Sequence, residues 1–167
     1  MIKKNKNACL IISSPAGMQK KIDEAVRKIS EEKYGLVYLC INQSAKTVID
    51  KMKKQKIATD KILFIDCISQ NRHETKDNVV FIENPKALTK TSIAINTALM
   101  HMPGKKAVLV DSLSTMMIYT ELDRLARYTS SIIEKIRLND AKTMMFAIPE
   151  KSLLNKVSPF FDEIIKE

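Results

Sequence analysis

The chain is poor in the residues that mark several common kinds of binding site. It has no tryptophan, aromatic residues make up only 5% of it, and it holds three glycines among 167 residues. Aromatic and basic residues do not alternate, as they do where successive bases stack on a protein surface, so nucleic-acid binding is not favoured. The three cysteines, Cys9, Cys40 and Cys67, lack metal-like spacing. We expect them to be buried thiols in a reducing cytoplasm.

Long apolar runs are missing as well. No stretch approaches the roughly 20 apolar residues that a membrane-spanning helix needs, so we expect no membrane partner. The short run ACLIIS at residues 8–13 is typical of a first strand and is too short for the core of a signal peptide. With 45% hydrophobic and 28% charged residues, the composition predicts one folded domain over residues 1–167.

Positive charge is what the chain has in excess, with a formal net charge of +9. Such an excess suits nucleic acid or another anionic surface. The lysines are scattered, however, and most fall on the polar faces of predicted helices, where solvation explains them. Nucleic acid therefore stays an open alternative that we do not favour.

Apolar runs alternate with segments of helical periodicity along the whole chain. The predicted strands are residues 8–13, 36–41, 62–66, 79–82, 107–110, 143–148 and 161–165. The predicted helices are residues 18–32, 45–55, 89–102, 120–138 and 151–156, with a turn at 14–17 and a polar, mobile loop with His73 at 70–78. This order predicts an α/β fold, a three-layer sandwich in which a mostly parallel sheet carries helices on both faces.

The run Ala107–Val110 leads directly into Asp111 and Ser112. Such a run predicts a strand buried on both faces, with Asp111 at its carboxyl end, where open α/β sheets bind ligands. In nucleotide hydrolases an aspartate there holds magnesium, the Walker B arrangement. Two interpretations stay open: Asp111 binds a metal, or it caps the next helix or bonds to Ser13 or Ser112. Asp66, after the strand ILFI, presents the same choice.

The succession of strand, turn, helix and strand, followed by VLVDSLST and a long helix, resembles the RecA/KaiC-like ATPase domain, which has the P-loop NTPase fold. The resemblance covers almost the whole chain. In particular, NPKALTKTSIAINTALM at residues 84–100 and the following AVLVDSLSTMMIY are similar to archaeal KaiC-like proteins of poorly defined function. The resemblance implies a phosphate loop after the first strand, Asp111 as the Walker B residue, and edge-to-edge assembly in rings or filaments.

The segment that corresponds to the phosphate loop departs from the family's pattern. That pattern is G-x-x-x-x-G-K-[ST], in which glycines let backbone N–H groups close on phosphates and lysine neutralises them. Aligned residue by residue, Gln19 stands where the lysine belongs, Lys20 where Ser or Thr belongs, and Met18 where the second glycine belongs. The whole degenerate loop comprises Ser13, Ser14, Pro15, Ala16, Gly17, Met18, Gln19, Lys20 and Lys21.

The second departure lies at the end of the second strand. KaiC-like enzymes carry a pair of glutamates there, one of which activates the attacking water. This chain has Asn42 and Gln43 instead. Because an amide does not accept a proton from water at neutral pH, general-base catalysis is lost.

These departures predict a non-catalytic domain, a pseudo-ATPase with a regulatory or assembly role in the cytoplasm. Its expected partners are copies of itself or other proteins, and it has no metal site unless Asp111 forms one. The first alternative is a nucleotide sensor that keeps ATP or ADP with magnesium without efficient hydrolysis, with Lys20 and Lys21 holding the anion at a helix N-terminus. A weak ATPase is the remaining alternative.

Overall fold

A seven-stranded, wholly parallel sheet forms the centre of the computed structural model, which describes residues 7–69 and 78–167. Along the sheet the strands follow the order β4-β3-β2-β5-β6-β1-β7. The strands are β1 (Ala8–Ile12), β2 (Gly35–Cys40), β3 (Ile62–Asp66), β4 (Val79–Phe81), β5 (Lys106–Asp111), β6 (Lys142–Ala147) and β7 (Glu163–Lys166). The predicted parallel sheet is confirmed, and its seven strands fall within about two residues of their predicted positions.

Helices cover both faces of the sheet, and this confirms the three-layer architecture. They are α1 (Pro15–Glu31), α2 (Ala45–Lys54), α3 (Leu88–His101), α4 (Leu113–Met116), α5 (Leu122–Leu138) and α6 (Lys151–Val157), followed by a 3-10 turn, Ser158–Phe160. One core cluster joins α1 and α2 to the sheet, and the other joins α3, α4, α5 and α6 to its opposite face. Within the described ranges, no helix is both long enough and apolar enough to span a membrane.

The central strands are buried on both faces because their sequences are almost continuously apolar. Every residue of β2 is buried, and so are the five residues of β5 that follow Lys106. β2 lies between β3 and β5, and Cys40 is in register with Asp66 on one side and Asp111 on the other. The two aspartates therefore flank the same strand end at the carboxyl edge of the sheet.

The largest difference from the sequence-based boundaries is the start of α1. We expected a turn at residues 14–17 and a helix from about Met18, but the helix begins at Pro15. Ser14 caps it through its side chain, and Pro15 occupies the first helical turn, where a missing N–H costs nothing. The short helix α4 was not predicted. Residues 70–77 of the expected mobile loop, His73 among them, lie outside the described residues.

Candidate functional site at the carboxyl edge of the sheet

Asp111 ends β5 at the position expected from the sequence, and its side chain is buried there, with 1% of the residue exposed. The Tyr38 hydroxyl donates to Asp111 Oδ2 at 3.0 Å, and the Asn42 amide donates to Oδ1 at 2.6 Å. Burial raises the pKa of Asp111, and the two hydrogen bonds oppose that shift. From the sequence we expected Ser13 or Ser112 as its partner, but the structure supplies Tyr38 and Asn42.

Ser112 serves the short helix that follows Asp111. Its hydroxyl accepts a hydrogen bond from the Thr115 backbone N–H at 3.4 Å and lies 3.2 Å from the Thr115 hydroxyl. The Thr115 hydroxyl in turn donates to Asn42 Oδ1. The peptide bond between Asp111 and Ser112 is cis. The cap expected after this strand is thus made by Ser112, while Asp111 faces β2.

Only two residues, Ser13 and Ser14, separate β1 from α1. The buried Ser13 donates its hydroxyl to the Ser14 carbonyl at 3.2 Å, and the Ser14 hydroxyl accepts from the Gly17 N–H at 3.2 Å. A Cβ on Gly17 would lie 2.9 Å from Ser13 Oγ, which is closer than such atoms normally approach. The serines and the first helical turn therefore fill this space with their own contacts.

Gln19 and Gln43, which were singled out separately in the sequence, meet in the structure. Gln43 Nε2 donates to Gln19 Oε1 at 3.2 Å, and Gln19 Nε2 donates to Asp23 Oδ1 at 2.9 Å. The Lys51 ammonium donates to Gln43 Oε1 at 3.0 Å, and Gln55 Nε2 donates to Asp23 Oδ2 at 3.0 Å. We call these five side chains the amide chain. It contains Gln19 and Gln43, two of the three amides that stand at the expected positions of lost catalytic groups, while the third, Asn42, contacts Asp111.

The remaining residues of the expected loop point in different directions. Met18 is buried in the core beneath α1, and Ala16 and Lys20 are exposed. Lys21 forms ion pairs with Glu24, at 3.4 Å, and with Glu167. The two lysines therefore do not share one environment, and Lys21 already has carboxylate partners.

Asp66, at the end of β3, has its hydrogen-bonding capacity filled by the protein itself. Its carboxyl group accepts from the backbone N–H groups of Ala45, Ile68 and Ser69 at 2.8–2.9 Å and from the Ser69 hydroxyl at 2.6 Å. These bonds connect β3 to the start of α2 and to the turn after β3. The structure therefore favours the structural interpretation for Asp66.

Sequence reasoning missed Tyr38 as a member of this site. Its phenol is buried, and burial raises its pKa well above the ordinary value, so the hydroxyl keeps the proton that it donates to Asp111. The signal was present: a tyrosine in the middle of an apolar strand needs a partner for its hydroxyl. Among the residues that the structure describes, no three acidic, histidine or cysteine side chains form a metal-binding group.

The parallel sheet, its strand order and the helices on both faces are those of a RecA/KaiC-like fold. The fold expected from the resemblance is confirmed. More narrowly, the chain belongs to DUF7090, a family of unknown function, which matches residues 4–166.

Two solved structures from Pyrococcus horikoshii have similar folds. A KaiC-like protein of strain OT3 superposes with a TM-score of 0.71 at 12% identity, over 96% of this chain and 71% of that chain. An uncharacterized protein, solved in complex with an unknown peptide, superposes with a TM-score of 0.72 at 15% identity, over 98% of this chain and 78% of that chain. At these identities the likeness concerns the fold alone. A search of the curated proteins finds no match to the sequence.

Proposed function

We propose that this chain is a non-catalytic RecA/KaiC-like domain, a pseudo-ATPase that acts in regulation or assembly. The observation that carries the proposal is the contact between Gln19 and Gln43 at 3.2 Å. In the family that the sequence resembles, these positions belong to the phosphate-binding lysine and to one of the paired glutamates. Here two neutral amides hydrogen-bond to each other.

The connection between β1 and α1 supports the same proposal. A phosphate loop surrounds phosphates with free backbone N–H groups that follow the strand. Here Pro15 has no N–H group, and the Gly17 N–H donates to Ser14. Because the helix begins at Pro15, little chain is left to wrap around a phosphate.

The groups around Asp111 also argue against hydrolysis. A general base must accept a proton from water, but Asn42, which contacts Asp111, and the neighbouring Gln43 both carry amides. Asp111 itself is buried and accepts hydrogen bonds from Tyr38 and Asn42. The loss of the lysine and of the base would each slow hydrolysis by orders of magnitude.

Thermal unfolding with and without about 1 mM ATP or ADP and magnesium tests the proposal. A ligand with a dissociation constant near 10 µM would add about 2.7 kcal/mol at that concentration. For a domain of this size, that corresponds to a rise of roughly 5–10 °C. We expect no such rise and no phosphate release above the rate without protein.

The outcomes separate the proposal from its alternatives. A rise of several degrees without phosphate release would support the nucleotide sensor, and Asp111→Asn should then reduce the rise if magnesium is held there. Phosphate release that Asp111→Asn abolishes would support a weak ATPase. Either result would overturn the proposal of a domain that works without nucleotide.

A further inference from the structure

A groove of about 670 Å³ opens at the amino edge of the sheet, opposite Asp111. The chain enters β2, β3 and β5 there, and the last turn of α3 forms one wall. The residues that line it are Lys33, Gly35, Asp60, Lys61, Ile62, Leu63, Asn78, Ala98, His101, Met102, Pro103, Gly104 and Lys105. Neither Asp111 nor any residue of the amide chain is among them, so this groove is a separate feature of the molecule.

The rim of the groove is strongly basic. Lys33, Lys61 and Lys105 are exposed on it, against one carboxylate, Asp60. Within residues 7–69 and 78–167, the structure gives none of these three ammonium groups a carboxylate partner within ion-pair distance. The Lys105 ammonium lies 5.1 Å from the centroid of the Tyr34 ring, which accounts for its position without neutralising its charge. Nothing among the described residues neutralises these three charges, so they can attract an anionic ligand.

The wall between these lysines is apolar. Ile62, Leu63, Ala98, Met102 and Pro103 contribute to it, and Gly35 allows Met102 to lie close, because a Cβ there would be 2.6 Å from Met102 Sδ. The Gly35 N–H already donates to the Lys105 carbonyl at 2.8 Å, so this part of the backbone is satisfied. An apolar wall beneath a ring of cations suits a ligand that carries an apolar group between negative charges.

We propose that this groove binds an acidic peptide segment through one apolar anchor side chain flanked by carboxylates. The carboxylates would lie near Lys33, Lys61 and Lys105, and the anchor would pack against Ala98 and Met102. The proposal does not depend on the proposed function, because it concerns the opposite edge of the sheet.

Nucleic acid fits this groove less well than an acidic peptide does. Single strands bind where aromatic rings stack on bases along a basic track. Among residues 7–69 and 78–167, no tryptophan, tyrosine or phenylalanine lines the groove, and the lysines surround an apolar pocket. The described lining offers stacking bases one imidazole ring, that of His101, whereas it offers an aliphatic side chain a whole apolar wall.

Fluorescence anisotropy at about 0.15 M salt, where exposed charges are screened beyond roughly 8 Å, tests the proposal on the full chain. The probe is a fluorescein-labelled peptide of four Glu-Glu-Leu repeats. Lys61→Glu/Lys105→Glu reverses two rim charges, and Ala98→Phe fills the wall without changing charge. The matched control, Lys86→Glu/Lys151→Glu, makes the same change in net charge at two exposed lysines that precede α3 and begin α6. Thermal unfolding of each variant verifies that it is folded.

We expect Lys61→Glu/Lys105→Glu and Ala98→Phe each to weaken binding at least tenfold, while the control stays within about twofold of the unmodified chain. A labelled peptide of Lys-Lys-Leu repeats and a labelled oligothymidylate should bind at least tenfold more weakly than the acidic peptide. Equal losses in the control and the rim variant would indicate general charge attraction and overturn the proposal. Tighter binding of the oligothymidylate, or no peptide binding up to millimolar concentration, would overturn it as well.

Discussion

The two edges of the sheet use their polar groups in opposite ways. At the carboxyl edge, Asp66 and Asp111 accept hydrogen bonds from the protein, Gln19 and Gln43 bond to each other, and Lys21 pairs with carboxylates. At the amino edge, Lys33, Lys61 and Lys105 surround an apolar groove and have no carboxylate partner in the described parts of the chain. At the carboxyl edge the polar groups bond to one another, whereas at the amino edge the described residues leave three positive charges that can attract a ligand.

Parallel α/β sheets usually bind ligands outside the carboxyl ends of their strands, so the groove proposed above lies at the opposite edge from the usual site. The fold alone would direct attention to Asp111. Side-chain chemistry directs it to the opposite edge instead, because unpaired charge next to an apolar pocket favours binding. The comparison shows that a fold fixes where a site can form, while the residues decide whether it remains a site.

Asp66→Ala is the strongest test of whether internal hydrogen bonds hold the carboxyl edge together. The change leaves the buried N–H of Ala45 and two N–H groups of the next turn without their acceptor. A buried donor left unsatisfied costs about 1–3 kcal/mol. Only the Ala45 N–H belongs to a buried residue, and water can reach the half-buried Ile68 and Ser69, so we expect a total loss of about 3 kcal/mol in the free energy of unfolding. Thermal unfolding should show Tm lower by roughly 6–12 °C.

Asp66→Asn provides the matched control. It keeps one acceptor oxygen and places an NH2 group against donors, so the loss should lie between zero and that of Asp66→Ala. If both variants unfolded at the temperature of the unmodified chain, Asp66 would not hold this edge together, and it would become a candidate ligand-binding group.

Asp111→Asn tests the second aspartate, and its effect depends on pH. Burial raises the pKa of Asp111 in the folded protein, so folding favours the protonated form. That contribution to stability is fully present below the ordinary pKa of 3.8 and is lost as the pH rises through the higher folded value. The unmodified chain should therefore lose stability relative to Asp111→Asn as the pH rises from about 3 to 7.

Chemical denaturation of both proteins across this pH range measures the difference. We expect the difference to grow in that one direction across the range, at about 1.4 kcal/mol for each unit by which folding raises the pKa. The opposite trend, with the unmodified chain gaining relative to the variant, would mean that the hydrogen bonds from Tyr38 and Asn42 outweigh burial. Asp111 would then be a stabilised carboxylate, and a metal-binding role would regain support.

Most of the fold could be predicted because apolar runs and helical periodicity depend on local sequence. The β3 bounds, Ile62–Asp66, match the prediction, since a short apolar run ends there in a polar residue. The start of α1 could not be placed because Ser-Pro is common both in turns and at helix N-termini. The structure resolves this ambiguity: Ser14 caps the helix and Pro15 is its first residue.

The candidate site could be predicted only in part. Asp111 at a strand end followed from the apolar run before it, but its contact with Tyr38 joins two strands that are distant in sequence. The groove was missed for the same reason. Lys33, Lys61 and Lys105 each precede a different strand, and only the parallel order of the sheet brings those strand starts to one edge. The interpretation that most lysines are solvated on helix faces does not describe these three.

A double-mutant cycle on Gln19→Ala and Gln43→Ala tests whether the amide chain is a direct interaction. The hydrogen bond joins two half-buried side chains at 3.2 Å, so we expect a coupling free energy of about 0.5 kcal/mol. Gln43→Ala combined with Asn155→Ala, an exposed position on α6, should be additive. Zero coupling between Gln19 and Gln43 would mean that their hydrogen bond does not hold the two amides together. Both amides could then contact a ligand, and the proposal of a non-catalytic site would be weakened.

The smallest expected effect concerns the amino edge, where Lys61→Ala removes one of three positive charges that have no carboxylate partner in the described ranges. Since like charges repel, the free energy of unfolding should rise by about 0.2–0.5 kcal/mol at low salt, and the gain should vanish near 1 M salt, where the screening length is about 3 Å. Lys90→Ala is the control with the opposite sign, because the Lys90 ammonium pairs with Glu83 at 2.6 Å. Denaturation at both salt concentrations measures the two effects. A lower free energy of unfolding in both variants would mean that Lys61 has a stabilising partner. The charges of the amino edge would then be paired within the protein, like the polar groups of the carboxyl edge.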